Sequence, residues 1–227
     1  MLAISLYLLI PPLLAKEGNE GRFLINSPLP SPPLGKGREL DLQFYFKFSA
    51  CAYLNMLKAK VYIDGANIFY AQKKMGWVLD WAKVKSFLAD SHDIIEYRYY
   101  QGVKEGDGNI TDYLKYLDAI HFTVMTKPVK KIKINSGHPL SKLYQYKEMY
   151  KCNFDVEMTA DMIFDRGNID EYILFSGDSD FDYVIKRLRD VGKRFTVYSS
   201  RKVLSWELKF AVSRYEILEK YKDMLRK

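Results

Sequence analysis

The chain has 227 residues, of which 48% are hydrophobic and 28% charged, with a formal net charge of +7. Its length suits one α/β domain with a full core, alone or with an extension, and its composition excludes disorder of the whole. Cys51 and Cys152 lie too far apart in sequence to form a disulfide framework or a zinc pattern, and His92, His121 and His138 are too scattered to assemble a histidine-based catalytic constellation.

Residues 1–55 differ in character from the rest of the chain. They hold six of the eight prolines (Pro11, Pro12, Pro28, Pro30, Pro32, Pro33) and sustain no helical or alternating period past Leu14. The apolar run from Leu2 to Ala15 is too short to span a bilayer and is broken by Pro11-Pro12. It lacks the Lys or Arg that precedes a secretory leader and ends in a poor cleavage site, so the expected location is cytoplasmic, with no membrane partner. Met56 stands directly before the first convincing strand. The expectation is that the protein starts there, that residues 1–55 are a disordered or misassigned extension, and that residues 56–227 are the functional domain.

From Lys58 the chain alternates through Ile63 as a strand, turns at Asp64-Gly65-Ala66-Asn67 and enters a helix at Ile68. Gly65 allows a tight turn, and Asn67 is available as a cap or as a hydrogen-bond partner of Asp64. A helix is predicted over 81–89 and a strand over 94–100, closed by Gln101-Gly102. A longer helix is predicted from Asn109 to about Thr126, with Thr111 as its cap. Residues 129–134 read as a short lysine-rich strand near a sheet edge. Between Ser136 and Lys151 the pattern is weakest. Its lysines and tyrosines, among them Lys142, Lys147 and Lys151, would suit a single-stranded nucleic acid, though such a stretch is more often an exposed loop with some packed tyrosines. Asp155 sits where an N-cap would open a helix over 156–165. Asp161, six positions further, falls on a different face of that helix.

The densest signal lies between Tyr172 and Tyr198. Tyr172 to Phe175 is a buried strand, Ser176-Gly-Asp178-Ser-Asp180-Phe-Asp182 is a polar turn, and the helix beyond stops at Gly192 before a strand over 193–198. Ser179 and Asp182 also fit a capping box, which is the structural alternative for this turn. Arg201 and Lys202 lead to a helix near 204–212 and a charged tail expected to cover the sheet edge.

Strands alternate with helices from Val61 to Val197, which predicts a three-layer α/β/α sandwich with a mainly parallel central sheet. In such a sheet the strands ending at Asp64 and just before Asp178 deliver carboxylates to the same edge, and Asp155 opens a helix that can reach it. Unit charges about 5 Å apart repel by roughly 3 kcal/mol at an effective dielectric near 20, so the cluster calls for solvent or a cation. Oxygen donors without Cys or His favour Mg²⁺ or Mn²⁺. Such ions activate water and stabilise charge at phosphorus during phosphodiester hydrolysis. The basic surface, Arg201 and Lys202 included, suits a polyanion held by its backbone, or is a solvated face.

Three motifs together resemble the NYN domains of the PIN-like superfamily, in particular the LabA-like group. They are Ile63-Asp64-Gly65-Ala66-Asn67, Lys151 to Val156 with Asp161-Met162, and Ser176 to Phe181 with Gly192-Lys193. The resemblance spans about residues 58–212. It implies a PIN-like fold and a divalent-metal ribonuclease, with Asp64, Asp155, Asp178 and Asp180 as the acidic site. Asn67 would orient Asp64 or a water, and Asp161 matches a family acid of less defined role. The chain departs from the pattern at Cys152-Asn153-Phe154, where Gly and Val are common. Asp182 is an extra acid whose four-residue spacing from Asp178 lets it join the metal set. Two other functions compete. One is a non-catalytic LabA-like regulator that binds RNA or protein. The other is a haloacid-dehalogenase-like phosphatase, which loses its acid because Ala66 stands two positions after Asp64. Oligomeric state is open, with a homodimer among the states allowed.

Overall fold

The computed structural model describes residues 56–104, 106–133 and 148–227. The expectations for residues 1–55, for Lys142 and for Lys147 therefore lie outside the described residues. Six strands form one sheet: β1 (Leu57–Asp64), β2 (His92–Val103), β3 (Thr123–Pro128), β6 (Glu171–Phe175), β7 (Arg194–Ser199) and β8 (Arg214–Ile217). Their spatial order is β3-β2-β1-β6-β7-β8, and all five neighbouring pairs run parallel. A separate antiparallel ribbon pairs β4 (Lys130–Lys133) with β5 (Glu148–Lys151).

Helices cover both faces. On one side, α1 (Gly65–Met75), α2 (Trp81–Ala89) and α3 (Gly108–Ala119) pack Ile68, Trp81, Val84 and Leu117 onto Val61, Ile63, Ile173 and Phe175, together with α7 (Lys222–Leu225). On the other, α4 (Asp155–Asp165), α5 (Asp182–Asp190) and α6 (Trp206–Ala211) pack Met158, Met162, Ile185 and Leu208 onto Tyr62, Leu174 and Val197. Burial on both faces explains why β1 and β6 read as continuous apolar runs. Aromatic stacking ties the strands laterally, with Tyr172 on Phe195 at 4.5 Å and Phe175 on Tyr198 at 4.9 Å.

The strand order reverses between β1 and β6. The connection after β1 runs over one face and the connection after β6 over the other, so the helices diverge there and leave a crevice at the strands' carboxyl ends. Asp64 closes β1 at this crevice and Asp178 follows β6 into it.

Several boundaries differ from expectation. The helix predicted over 109–126 ends at Ala119, because His121 adopts a left-handed φ of 64° and the β-branched Thr123-Val124 pair then joins β2 as β3. Its cap is Asp107, whose carboxylate accepts from the Ile110 N–H, rather than Thr111. The lysine-rich strand pairs with β5 outside the main sheet instead of at its edge. Residues 214–217 of the tail extend the sheet as its sixth strand rather than covering it.

Candidate metal centre

The site is built by three chain turns at the crevice. β1 ends in Asp64, whose side chain caps α1 by accepting the Asn67 N–H at 3.1 Å. The residue directly after Asp64 must be glycine. A Cβ on Gly65 would lie 2.6 Å from the Tyr100 carbonyl oxygen and 2.5 Å from Gln101 Oε1, so only Gly lets α1 start this close to β2. Asn67 then reaches across to the second turn, its Oδ1 accepting the Gly177 N–H at 2.8 Å. Ser176 completes the tie: its hydroxyl donates to Asp64 Oδ2 at 3.2 Å and accepts from the Asp178 N–H at 3.2 Å. The turns after β1 and β6 are thus cross-linked through Asn67 and Ser176.

The third turn brings in Asp155. It is the first residue of α4 rather than its cap, and Asn153 Oδ1 accepts its N–H at 2.8 Å. The cap position itself is Phe154, which makes no side-chain cap, so the Asp155 carboxylate is left free of a capping role and lies in the cluster. Phe154 anchors the turn by packing its ring edge-on against Tyr100 at 5.7 Å, with Lys127 Nζ 4.5 Å above it.

Asp64, Asp155 and Asp178 each offer a carboxylate oxygen, and these atoms lie within 4.8 Å of one another. At that spacing each pair repels by roughly 3 kcal/mol for an effective dielectric near 20. Burial lifts the Asp64 carboxyl above its ordinary range, with Asp155 and Asp178 adding to the effect and the Asn67 and Ser176 hydrogen bonds opposing it. Asp155 is lifted in the same way, by burial first and then by Asp178 and Asp180. No cationic side chain pairs with the three in the described ion pairs. Three hard oxygen donors, each held partly from solvent, fit a divalent cation of the Mg²⁺ or Mn²⁺ type.

The remaining predicted acids have other surroundings. Asp178 Oδ1 also accepts the Asp180 N–H at 3.1 Å, so part of the capping alternative holds for Asp178 itself, while the Ser179–Asp182 box does not form. Asp180 is exposed and sits beside Asp155. Asp182 opens α5 and pairs with Lys186 at 2.7 Å. Asp161 accepts the Tyr100 hydroxyl at 2.6 Å and lies 3.4 Å from Arg98. It joins a second charged group under α4, made with Lys60, Glu96 and Asp165. Only the tertiary fold reveals that group, because Arg98 and Lys60 come from different strands.

A cleft of about 860 Å³ runs from the three carboxylates along α1, past the start of α3, to the base of the β4–β5 ribbon. Lys151 lines it and is exposed. Arg201 and Lys202 are exposed on the turn after β7 and do not line it. Among the described residues no helix is long and apolar enough to cross a membrane.

The chain is similar to known proteins in sequence and in fold. The family model of the NYN domain matches residues 58–219. The chain is 32% identical over 169 residues to the low amplitude and bright protein LabA of Synechococcus elongatus, covering 74% of this chain and 87% of that protein. A crystal structure of a protein of unknown function from Vibrio parahaemolyticus shares the fold with a TM-score of 0.60 at 22% identity, over 75% of this chain and 96% of that one.

Proposed function

The chain belongs to the NYN-domain family, and from that premise we propose that residues 56–227 form a cytoplasmic, divalent-metal-dependent ribonuclease that hydrolyses RNA phosphodiester bonds. The observation that carries the reading is the grouping of Asp64, Asp155 and Asp178 within 4.8 Å at the sheet's switch point. These three would hold the metal, Mg²⁺ or Mn²⁺. When bound, it supplies an activated water and a counter-charge for the phosphoryl oxygens.

The chain's own residues set the stage for that chemistry. Asn67 and Ser176 fix the Asp64 and Asp178 turns relative to each other, so the carboxylates need little rearrangement on binding. Asp180, beside Asp155 and open to solvent, would accept a proton from an attacking water. Lys151 offers a phosphate contact on the cleft wall.

Asp178→Asn separates this reading from that of a non-catalytic RNA-binding regulator. The variant should keep its affinity for RNA while metal-dependent cleavage falls by roughly a hundredfold or more. If the unaltered chain binds RNA but cleaves it in neither Mn²⁺ nor Mg²⁺, the regulator is the correct function.

A further inference from the structure

Two aromatic rings stand in the cleft without serving the core. Phe69 and Tyr70 lie on α1 just beyond Asp64 and are 51% and 62% exposed, and both line the cleft that holds the three carboxylates. The buried stripe of α1 is made by Gly65, Ile68 and Ala71, and neither ring belongs to the core cluster on that face. The rings meet edge to face at 5.8 Å, and Lys73 Nζ stands 4.6 Å from the Phe69 centroid. With Lys73 over one face of Phe69, an apolar pair exposed to water beside a cation suits a ligand with flat faces and negative charge.

Position narrows the ligand further. Phe69 and Tyr70 follow Asp64 by five and six residues, so at 1.5 Å per residue they stand about 8–9 Å along the helix from the acidic end. That span is comparable to a nucleotide. On the far wall the ribbon base carries exposed Lys151, paired in register with exposed Lys130.

We infer that Phe69 and Tyr70 form a base-stacking platform that binds single-stranded nucleic acid, holding the base of a nucleotide next to the phosphate at the carboxylates. The inference builds on the hydrolase reading and adds a reason for strand selectivity. A base locked in a duplex cannot lay its face on a ring at the side of the helix, whereas an unpaired base can. Stacking also tolerates any base, since every base has a π-face.

The test uses the full chain and its Phe69→Leu/Tyr70→Leu variant, which keeps apolar bulk at exposed positions. Fluorescence anisotropy in EDTA would compare a labelled single-stranded RNA, the same strand with abasic positions, and its duplex; cleavage with Mn²⁺ would be followed in parallel. The unaltered chain should prefer the intact single strand over both others by on the order of tenfold or more, and the variant should lose that preference. Equal affinity of chain and variant, or indifference to abasic positions, overturns the platform even if Mn²⁺-dependent cleavage is present. Ring-dependent binding without cleavage supports the platform and removes the hydrolase reading instead. If the variant changes only self-association, measured by light scattering, the rings serve a second copy of this chain and the inference fails.

Discussion

Asp64 performs three tasks at one position: it ends β1, caps α1, and places a carboxylate beside Asp155 and Asp178. The tasks conflict in the absence of a cation. Its pKa is raised by burial and by its acidic neighbours, so the folded state binds this proton more tightly than the unfolded state does. Stability without metal therefore falls as pH rises through the ordinary carboxylate range towards the raised value, and above that window the ionised group is a standing cost. Asp64→Asn keeps a cap acceptor for Asn67 and removes the charge. In EDTA at neutral pH the variant should melt higher than the unaltered chain by about 2–4 °C per kcal/mol relieved, while its metal-dependent activity is lost. Differential scanning calorimetry checks the first effect. An unchanged or lower midpoint would show that the carboxylate is not strained by its neighbours. The motifs around Asp64 and Asp178 were legible in sequence because an acid at a strand's end in a turn with Gly, as in Asp64-Gly65 and Gly177-Asp178, is a local pattern. The exposure of Phe69 and Tyr70 was not, since Ile68-Phe69-Tyr70 is a continuous apolar run and only packing selects which members are buried.

At the level of elements, α4 is held to the sheet by charge as well as by Met158 and Met162. Lys60 bridges Glu96 at 3.0 Å and Asp165 at 2.7 Å, and Arg98 bridges Glu96, Asp161 and Asp165. The Tyr62 hydroxyl donates to Asp165. Burial alone would raise the Glu96 carboxyl, but hydrogen bonds from Arg98, Lys60 and Thr123 bring it down to about 2. A depressed folded pKa contributes stability above the unfolded value, near 4.5, that is lost as pH falls towards about 2. Urea midpoints of the unaltered chain should decline across that window, and Glu96→Gln should flatten the decline. A parallel decline in both would assign it to other carboxylates. Because α4 carries Asp155, loosening the network should weaken the metal site as well. A helix with a local apolar stripe, such as α2, was readable in advance over 81–89, while its cap, Asp80 accepting from Ala82 and Lys83, was not. β8 was not, because Arg214-Tyr-Glu-Ile217 is short and half charged and becomes a strand only through β7 beside it. The β4–β5 ribbon depends in the same way on a partner distant in sequence.

At the scale of the described chain, the position of the candidate site follows from topology. The order β3-β2-β1-β6-β7-β8 makes β1 and β6 the central neighbours, so the two strongest acidic motifs in the sequence meet although more than a hundred residues separate them. The third acid arrives on α4, whose preceding turn is pinned by Phe154 against β2. Alternation of strands and helices was enough to anticipate a parallel three-layer sheet, but not the strand order, which depends on where each crossover lands. Under the proposed function, the net charge of +7 would offset the acidic crevice and draw a polyanion towards a site that otherwise repels it. Added salt should accordingly weaken RNA binding steeply. The most direct test of the account is calorimetric titration of the full chain with Mn²⁺, alongside Asp64→Asn, Asp155→Asn and Asp178→Asn. Saturable binding that each single substitution weakens by roughly tenfold or more is the predicted result. Absence of binding, or binding that survives all three substitutions, would contradict it and return the three carboxylates to caps and turns.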